Sequence, residues 1–238
     1  GGDIHFKVEV TPREQLRFAD VVLVVDVLRA TTTATALFEC GLRTLILAEG
    51  LEAAQKLRQA DEILVGEAGG SQLEAFDFSN SPLGVRGGDF SGKTAVLTTS
   101  NGTRAAQLAA RGSDKVLLAC LNNATAACRL AAGLADKEIA ILCAGSAGNA
   151  GLDDTYTAGA LAARLVSLGL TPEGDDAASA LRLYHANSDP LPLLAEAGAY
   201  LERIGFGDDI AACAQLDVSQ KVGVMASRRG TGLVFSSP

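Results

Sequence analysis

Short runs of Val, Ile and Leu recur along this chain, and between them the sequence turns to Ala-rich stretches that stop at glycine. No other feature restricts the fold as strongly. The apolar runs lie at 21–25, 44–47, 63–65, 95–98, 115–119 and 138–142. Strands with so few polar residues have both faces covered, as in a parallel sheet. Helical patterns fill the intervals: 31–40 ends at Gly41, 51–59 places Leu51, Ala54 and Leu57 on one face, 103–111 ends at Gly112, and 124–132 ends at Gly133. Glycine just past a helix is a stop signal, because it takes the left-handed conformation without steric cost. The alternation predicts an α/β fold, a mostly parallel or mixed sheet with helices on both faces.

Two stretches depart from the rhythm. Residues 66–92 are rich in Gly, Ser and Asp and lack a clear period, which predicts a long loop, functional or mobile. Beyond Asp153 the patterns at 154–167, 177–184, 190–197 and 208–213 make a helix-rich C-terminal third, closed by short strands near 222–225 and 233–235. At 238 residues the chain fits one α/β domain over 1–238, with a subdomain boundary near residue 120 as the alternative.

The formal charge is -8, with no Lys/Arg cluster to offset it, which argues against nucleic acid and anionic membrane as partners. No apolar run approaches the roughly 18 to 20 residues of a membrane span, and no leader-like segment opens the chain. The five cysteines are odd in number and lack a C-x-x-C pair, which argues against disulfides and zinc and for a reducing cytoplasm. A homodimer is among the assemblies the chain allows.

The first apolar run ends on a carboxylate, in Asp26-Val27-Leu28-Arg29-Ala30-Thr31-Thr32-Thr33. An acid, a guanidinium and three hydroxyls therefore fall where an open α/β sheet binds ligands, outside the carboxyl ends of its strands. Thr98-Thr99-Ser100-Asn101-Gly102-Thr103 repeats the arrangement downstream. Glu67 follows another strand, Asp77 and Asn80 lie in the long loop, and Asp153 and Asp154 precede a helix. Carboxylate and amide oxygens with only two histidines suit a hard ion such as Mg²⁺, which shares its ligands with phosphate oxygens. Positive charge for an anionic guest must be local: Arg29, Arg104, helix N-termini or the metal. Plainer roles stand beside these: Asn101, Asp153 or Asp154 as helix N-caps, Thr31 to Thr33 as first-turn residues, Arg29 as an ion-pair partner.

Other chemistries lose their required groups. Gly87 to Thr94 spells the phosphate-loop pattern, but a strand rather than a helix follows it. The turn from Gly145 to Gly151 lacks the dinucleotide spacing and is expected to pack near the site. There is no G-x-S-x-G elbow and no C-x5-R, and Leu28 occupies the second acidic position of a D-x-D phosphatase motif.

Six motifs in order carry a family resemblance: Asp26 to Thr33, Val65-Gly66-Glu67, Phe76-Asp77 with Asn80-Ser81-Pro82, Thr98 to Thr103, Cys143-Ala144-Gly145, and Leu152-Asp153-Asp154. Together they resemble the 2-phosphosulfolactate phosphatase family, the coenzyme M biosynthetic phosphatase and its bacterial relatives. The resemblance implies a Mg²⁺-dependent acid phosphatase that converts 2-phosphosulfolactate, or a related phosphorylated 2-hydroxy acid, to 3-sulfolactate and phosphate, on an α/β fold unrelated to better-known phosphatases. Asp26, Arg29, Asn101 and Asp154 would be catalytic. Thr31, Thr32, Asn80, Ser100, Gly102 and Thr103 would bind the small anionic substrate. Asp26, Glu67 and Asp154 would hold the metal. Asp26 either attacks phosphorus or orients a water. Ala68 stands where the family pattern has Arg, Ser79 where it has Gly, and Ser219-Gln220 where Val-Pro is expected. The alternative is a non-catalytic small-anion binder on the same scaffold.

Overall fold

A computed structural model describes residues 3–67 and 74–238. The chain opens with β1 (His5–Glu9), β2 (Val21–Val25), α1 (Ala30–Glu39), β3 (Thr44–Leu47), α2 (Leu51–Leu57) and β4 (Ile63–Gly66). It continues through β5 (Phe78–Ser79), α3 (Pro82–Val85), β6 (Thr94–Thr98), α4 (Gly102–Ala110), β7 (Val116–Ala119), α5 (Ala124–Leu134) and β8 (Glu138–Cys143). The last third holds α6 (Leu152–Ser167), β9 (Thr171–Pro172), α7 (Asp175–Ala186), α8 (Pro190–Ala197), α9 (Ala199–Arg203), α10 (Asp208–Cys213) and the hairpin β10 (Gly223–Arg229) and β11 (Gly232–Ser236).

These strands form one mixed sheet in the order β5-β4-β6-β3-β11-β10-β7-β2-β8-β1-β9. The four strands on one side of the hairpin are mutually parallel, as are the five on the other. The hairpin pairs antiparallel with β3 through β11 and with β7 through β10. Followed strand by strand, the two parallel halves therefore run in opposite directions. Yet Val24 and Leu142 from one half share an apolar cluster with Leu47 and Leu97 from the other, together with α1 and α4. The sheet must curl around those two helices. That curl brings the C-terminal ends of β2, β4 and β6 to one place, although β2 opposes the other two.

Alternation along β2 explains the remaining layers. Val22 and Val24 face α1 and α4, while Val21, Leu23 and Val25 pack with α5, α6 and α7 on the outer face. α2 covers the outer face of β3, β4 and β6. Helices α6 and α8 to α10 form a further cluster around Leu28, Leu121 and Tyr156 and cap one end of the molecule. Among the described residues no helix is long and apolar enough to cross a membrane, and all five cysteines are free thiols.

Several details differ from the sequence expectations. β1 was not anticipated; buried Phe6 and Val8 alternate with more exposed neighbours over only five residues, too short a pattern to stand out. The 66–92 stretch contains β5 and a turn of helix, α3, which Ser81 caps by accepting the Gly84 amide (2.9 Å) with Pro82 next in line. α5 runs through Gly133 to Leu134, and the Ala135 amide still bonds the Ala131 carbonyl past it. Gly87 to Thr94 leads into β6, as its poor fit to a phosphate loop requires.

Candidate active site

The strand ends enclose a cleft of about 860 Å³, lined by Asp26 just after the end of β2. Three helices begin at its wall. Asp26 to Arg29 lead into α1, Ser100 and Asn101 into α4, and Gly151 to Asp153 into α6. Helix starts carry partial positive charge and amide donors, so their convergence favours an anionic guest. Gly102 allows a close approach: a Cβ there would lie 2.7 Å from Asp26 Oδ2 and 2.6 Å from the Ala30 methyl. Only glycine lets α4 start against the carboxylate.

The loops are fixed by buried polar contacts. Asp154 accepts the Val27 amide on Oδ1 (3.0 Å) and the Gly145 amide on Oδ2 (3.1 Å), tying α6 to the loops after β2 and β8. Gly145 has φ +62°, and a Cβ would run into the Asn149 carbonyl, so this turn also depends on glycine. Asn101 accepts the Ala147 amide (3.1 Å) and makes no side-chain cap on α4. Glu67 accepts the Ser100 amide (2.8 Å) and hydroxyl (3.2 Å), joining the ends of β4 and β6. Arg29 donates to Asp209 (3.1 Å) and lies over the Phe206 ring at 4.6 Å.

Acids outnumber cations here. Burial, then Asp153 and then Glu67 push the Asp26 carboxyl up to about 7, against the pull of Arg29 and the Ala30 amide. Burial also raises Asp153, and burial followed by Asp153 and Asp26 raises Asp154. The Asn80 amide oxygen, buried at the cleft wall, finds no hydrogen-bond partner among the described residues. The cleft thus offers acceptors in excess of donors, a mismatch that a bound cation relieves. The donor set of Asp26, Asp153, Glu67 and Asn80 is all oxygen and fits a hard divalent ion. No three acidic, imidazole or thiol groups among the described residues enclose an ion by themselves. Mg²⁺ commonly takes one or two carboxylates and completes its shell with water and phosphate oxygens.

The chain matches the 2-phosphosulpholactate phosphatase family over residues 6–228. It belongs to that family. A Thermus thermophilus protein described as a probable 2-phosphosulfolactate phosphatase is 46% identical over 234 residues, covering 98% of this chain and 99% of the relative. A Deinococcus radiodurans protein of the same description is 43% identical and covers 92% of each chain. A third, from Caldanaerobacter subterraneus, is 35% identical over 82% of this chain and 83% of its own.

Of the residues expected at a family site, Asp26, Arg29, Glu67, Asn80, Ser100, Asn101 and Asp154 line this cleft, and Gly102 abuts Asp26. Three hydroxyls are used elsewhere. Thr31 Oγ1 accepts the Asp26 amide (3.1 Å), Thr32 donates to the Val27 carbonyl (2.7 Å), and Thr103 donates to the Thr99 carbonyl (3.0 Å). They hold the loops and do not line the cleft. Asp77 lies away from it, accepting the Leu64 amide. Ala68 lies outside the described residues. Asp153, Arg104, Glu196 and Tyr200 also line the cleft. The Asp153-Asp154 pair was visible in sequence, but that Asp154 is the one whose oxygens hold the Val27 and Gly145 amides depends on the helix phase. No local signal marks Tyr200, whose hydroxyl donates to the Leu28 carbonyl (3.2 Å) from 172 positions away.

Proposed function

We propose that this chain is a Mg²⁺-dependent phosphatase that hydrolyses 2-phosphosulfolactate to 3-sulfolactate and phosphate. One observation carries the reading: three helix starts and Arg29 surround a buried carboxylate, Asp26, in a family of this description. Asp26 and Asp153, with Glu67 and Asn80 beside them, would hold the metal. When bound, Mg²⁺ neutralises charge on the phosphoryl oxygens.

The chain's own groups do the rest. The Arg29 guanidinium and the amides at the starts of α1 and α4 bind the remaining phosphoryl oxygens, whose charge they match without reorganising. Arg104 and the start of α6 meet the carboxylate or sulfonate end of the substrate. Asp154 acts through its two amide contacts, fixing the loops that carry Asp26 and Gly145. Asp26 is the group placed to act on phosphorus. As nucleophile it forms an aspartyl-phosphate and expels the alkoxide, which takes a proton from water; a second water then releases phosphate. As base it takes a proton from the attacking water instead. Borohydride reduction of enzyme quenched during turnover separates the two, since only the nucleophilic route forms an acyl phosphate that hydride reduces at residue 26.

The reading is tested by phosphate release from 2-phosphosulfolactate with Mg²⁺ and with EDTA. Steady turnover that EDTA abolishes is expected. Binding of the substrate with no phosphate released would instead establish a small-anion binding protein.

A further inference from the structure

Two of the groups that hold Arg29 lie far along the chain. Asp209, on α10, accepts from Arg29 Nη1 at 3.1 Å, and both side chains are 2% exposed. Its other oxygen accepts the Ser81 hydroxyl (2.8 Å) and the Leu83 amide (3.3 Å). Ser81 is next to Asn80, at the cleft wall. Phe206, three residues before Asp209, lies under the guanidinium at 4.6 Å. One carboxylate therefore joins the β2–α1 loop, the start of α3 and the C-terminal cap.

We propose that Asp209 is a positioning residue: it fixes the Arg29 guanidinium, and through Ser81 the Asn80 wall, in the geometry that receives the phosphoryl group. This rests on the reading above that Arg29 binds phosphoryl oxygens. The chemistry explains why a carboxylate is needed. Two acceptor oxygens serve two clients at once, Arg29 on one side and Ser81 with Leu83 on the other. An amide has one acceptor. If its oxygen serves Ser81 and Leu83, its NH₂ faces the guanidinium, donor against donor, and the ion pair becomes a repulsion. The guanidinium then shifts away from residue 209 and from the geometry that meets the substrate. Phe206 restricts the plane of the guanidinium by stacking, a lesser restraint than the ion pair.

The test is a double-mutant cycle on Asp209→Asn and Arg29→Ala, read by kcat/KM for 2-phosphosulfolactate and by the affinity for inorganic phosphate from calorimetry. Alone, Asp209→Asn is expected to lower kcat/KM by about 30-fold and to weaken phosphate by about tenfold, roughly the loss of one charge-assisted contact. In the Arg29→Ala background it should change either quantity by less than about twofold, because the group it positions is gone. Equal factors in both backgrounds would overturn the proposal and leave Asp209 a structural ion pair. Phe206→Leu covers the case in which Asp209→Asn fails to fold: about a threefold weakening of phosphate that vanishes without Arg29 supports the positioning role, and a loss that persists without Arg29 opposes it. The phosphate measurements stand whether or not the wild type turns over 2-phosphosulfolactate, so failure of that reading is told apart from failure of this one.

Discussion

β2 carries an aspartate just before its first residue and another just after its last, and the two are treated in opposite ways. Asp20 and Asp26 are both buried, 5% and 8% exposed. Asp20 Oδ2 accepts the amides of Asp136 (2.8 Å), Lys137 (2.5 Å) and Glu138 (3.0 Å), and Oδ1 accepts from Lys115 (3.2 Å). Burial alone would raise its carboxyl, but the three amides and Lys115 outweigh burial and hold it below its ordinary value. Asp26 instead faces Asp153 and Glu67 and is pushed up to about 7. One end of the strand satisfies its charge completely and is a clamp. The other gathers like charges and leaves an amide oxygen unpaired, an arrangement that a folding-only role does not require and that a ligand completes.

The sharpest way to break this contrast is to neutralise each acid. Asp26→Asn should lower kcat by at least about 10³-fold, as loss of a group acting on the reacting atoms does. It should also raise the unfolding midpoint of the metal-free protein at pH 8, because like-charge repulsion is removed. Asp20→Ala should do the reverse: about 3 kcal/mol of unfolding free energy lost in urea denaturation, from three stranded amides and a lysine, with kcat/KM of the folded fraction within twofold of wild type.

The contrast also has a pH signature in the metal-free protein. The folded Asp20 carboxyl lies below its unfolded value, so its stabilisation is present above about pH 4 and lost as pH falls further. The folded Asp26 carboxyl lies above its unfolded value, so the folded state holds the extra proton and stability declines as pH rises from about 4 to 7. Denaturation across that range should show a decline, to which the raised Asp153 and Asp154 also contribute; Asp26→Asn should make it shallower, and Asp20→Ala should leave it in place. Mg²⁺ favours the charged carboxylate, so the acid limb of kcat/KM should move to lower pH as Mg²⁺ rises. The smallest effect expected is that of Asn101→Ala, about tenfold in kcat/KM with little loss of stability, since it frees only the Ala147 amide on an exposed turn.

The same strand shows what the sequence could convey. Val21 to Val25 ending on Asp26 identified a covered strand and an acid at its carboxyl end, because local composition and strand-end placement are both readable. The hairpin at 223–236, which separates two oppositely running halves, was readable as two strands but not as the middle of the sheet. Without that insertion the curl, and the meeting of Asp26 with Glu67 and Ser100, cannot be derived. Thr31, Thr32 and Thr103 were expected at the anion because hydroxyls at helix starts often bind one; backbone carbonyls and an amide within five residues claimed them first. Asp209 meets Arg29 across 180 positions, a pairing set by packing of the C-terminal cap that no local pattern announces.

The position of the substrate's phosphoryl group decides between these roles. A crystal structure of Asp26→Asn with 2-phosphosulfolactate and Mg²⁺ measures that directly. Phosphorus is expected within about 3.5 Å of the residue 26 side chain, with phosphoryl oxygens on Arg29 and the first amides of α4. A phosphoryl group bound outside this cleft, or turned away from residue 26 towards Arg104 and Glu196, would contradict that placement.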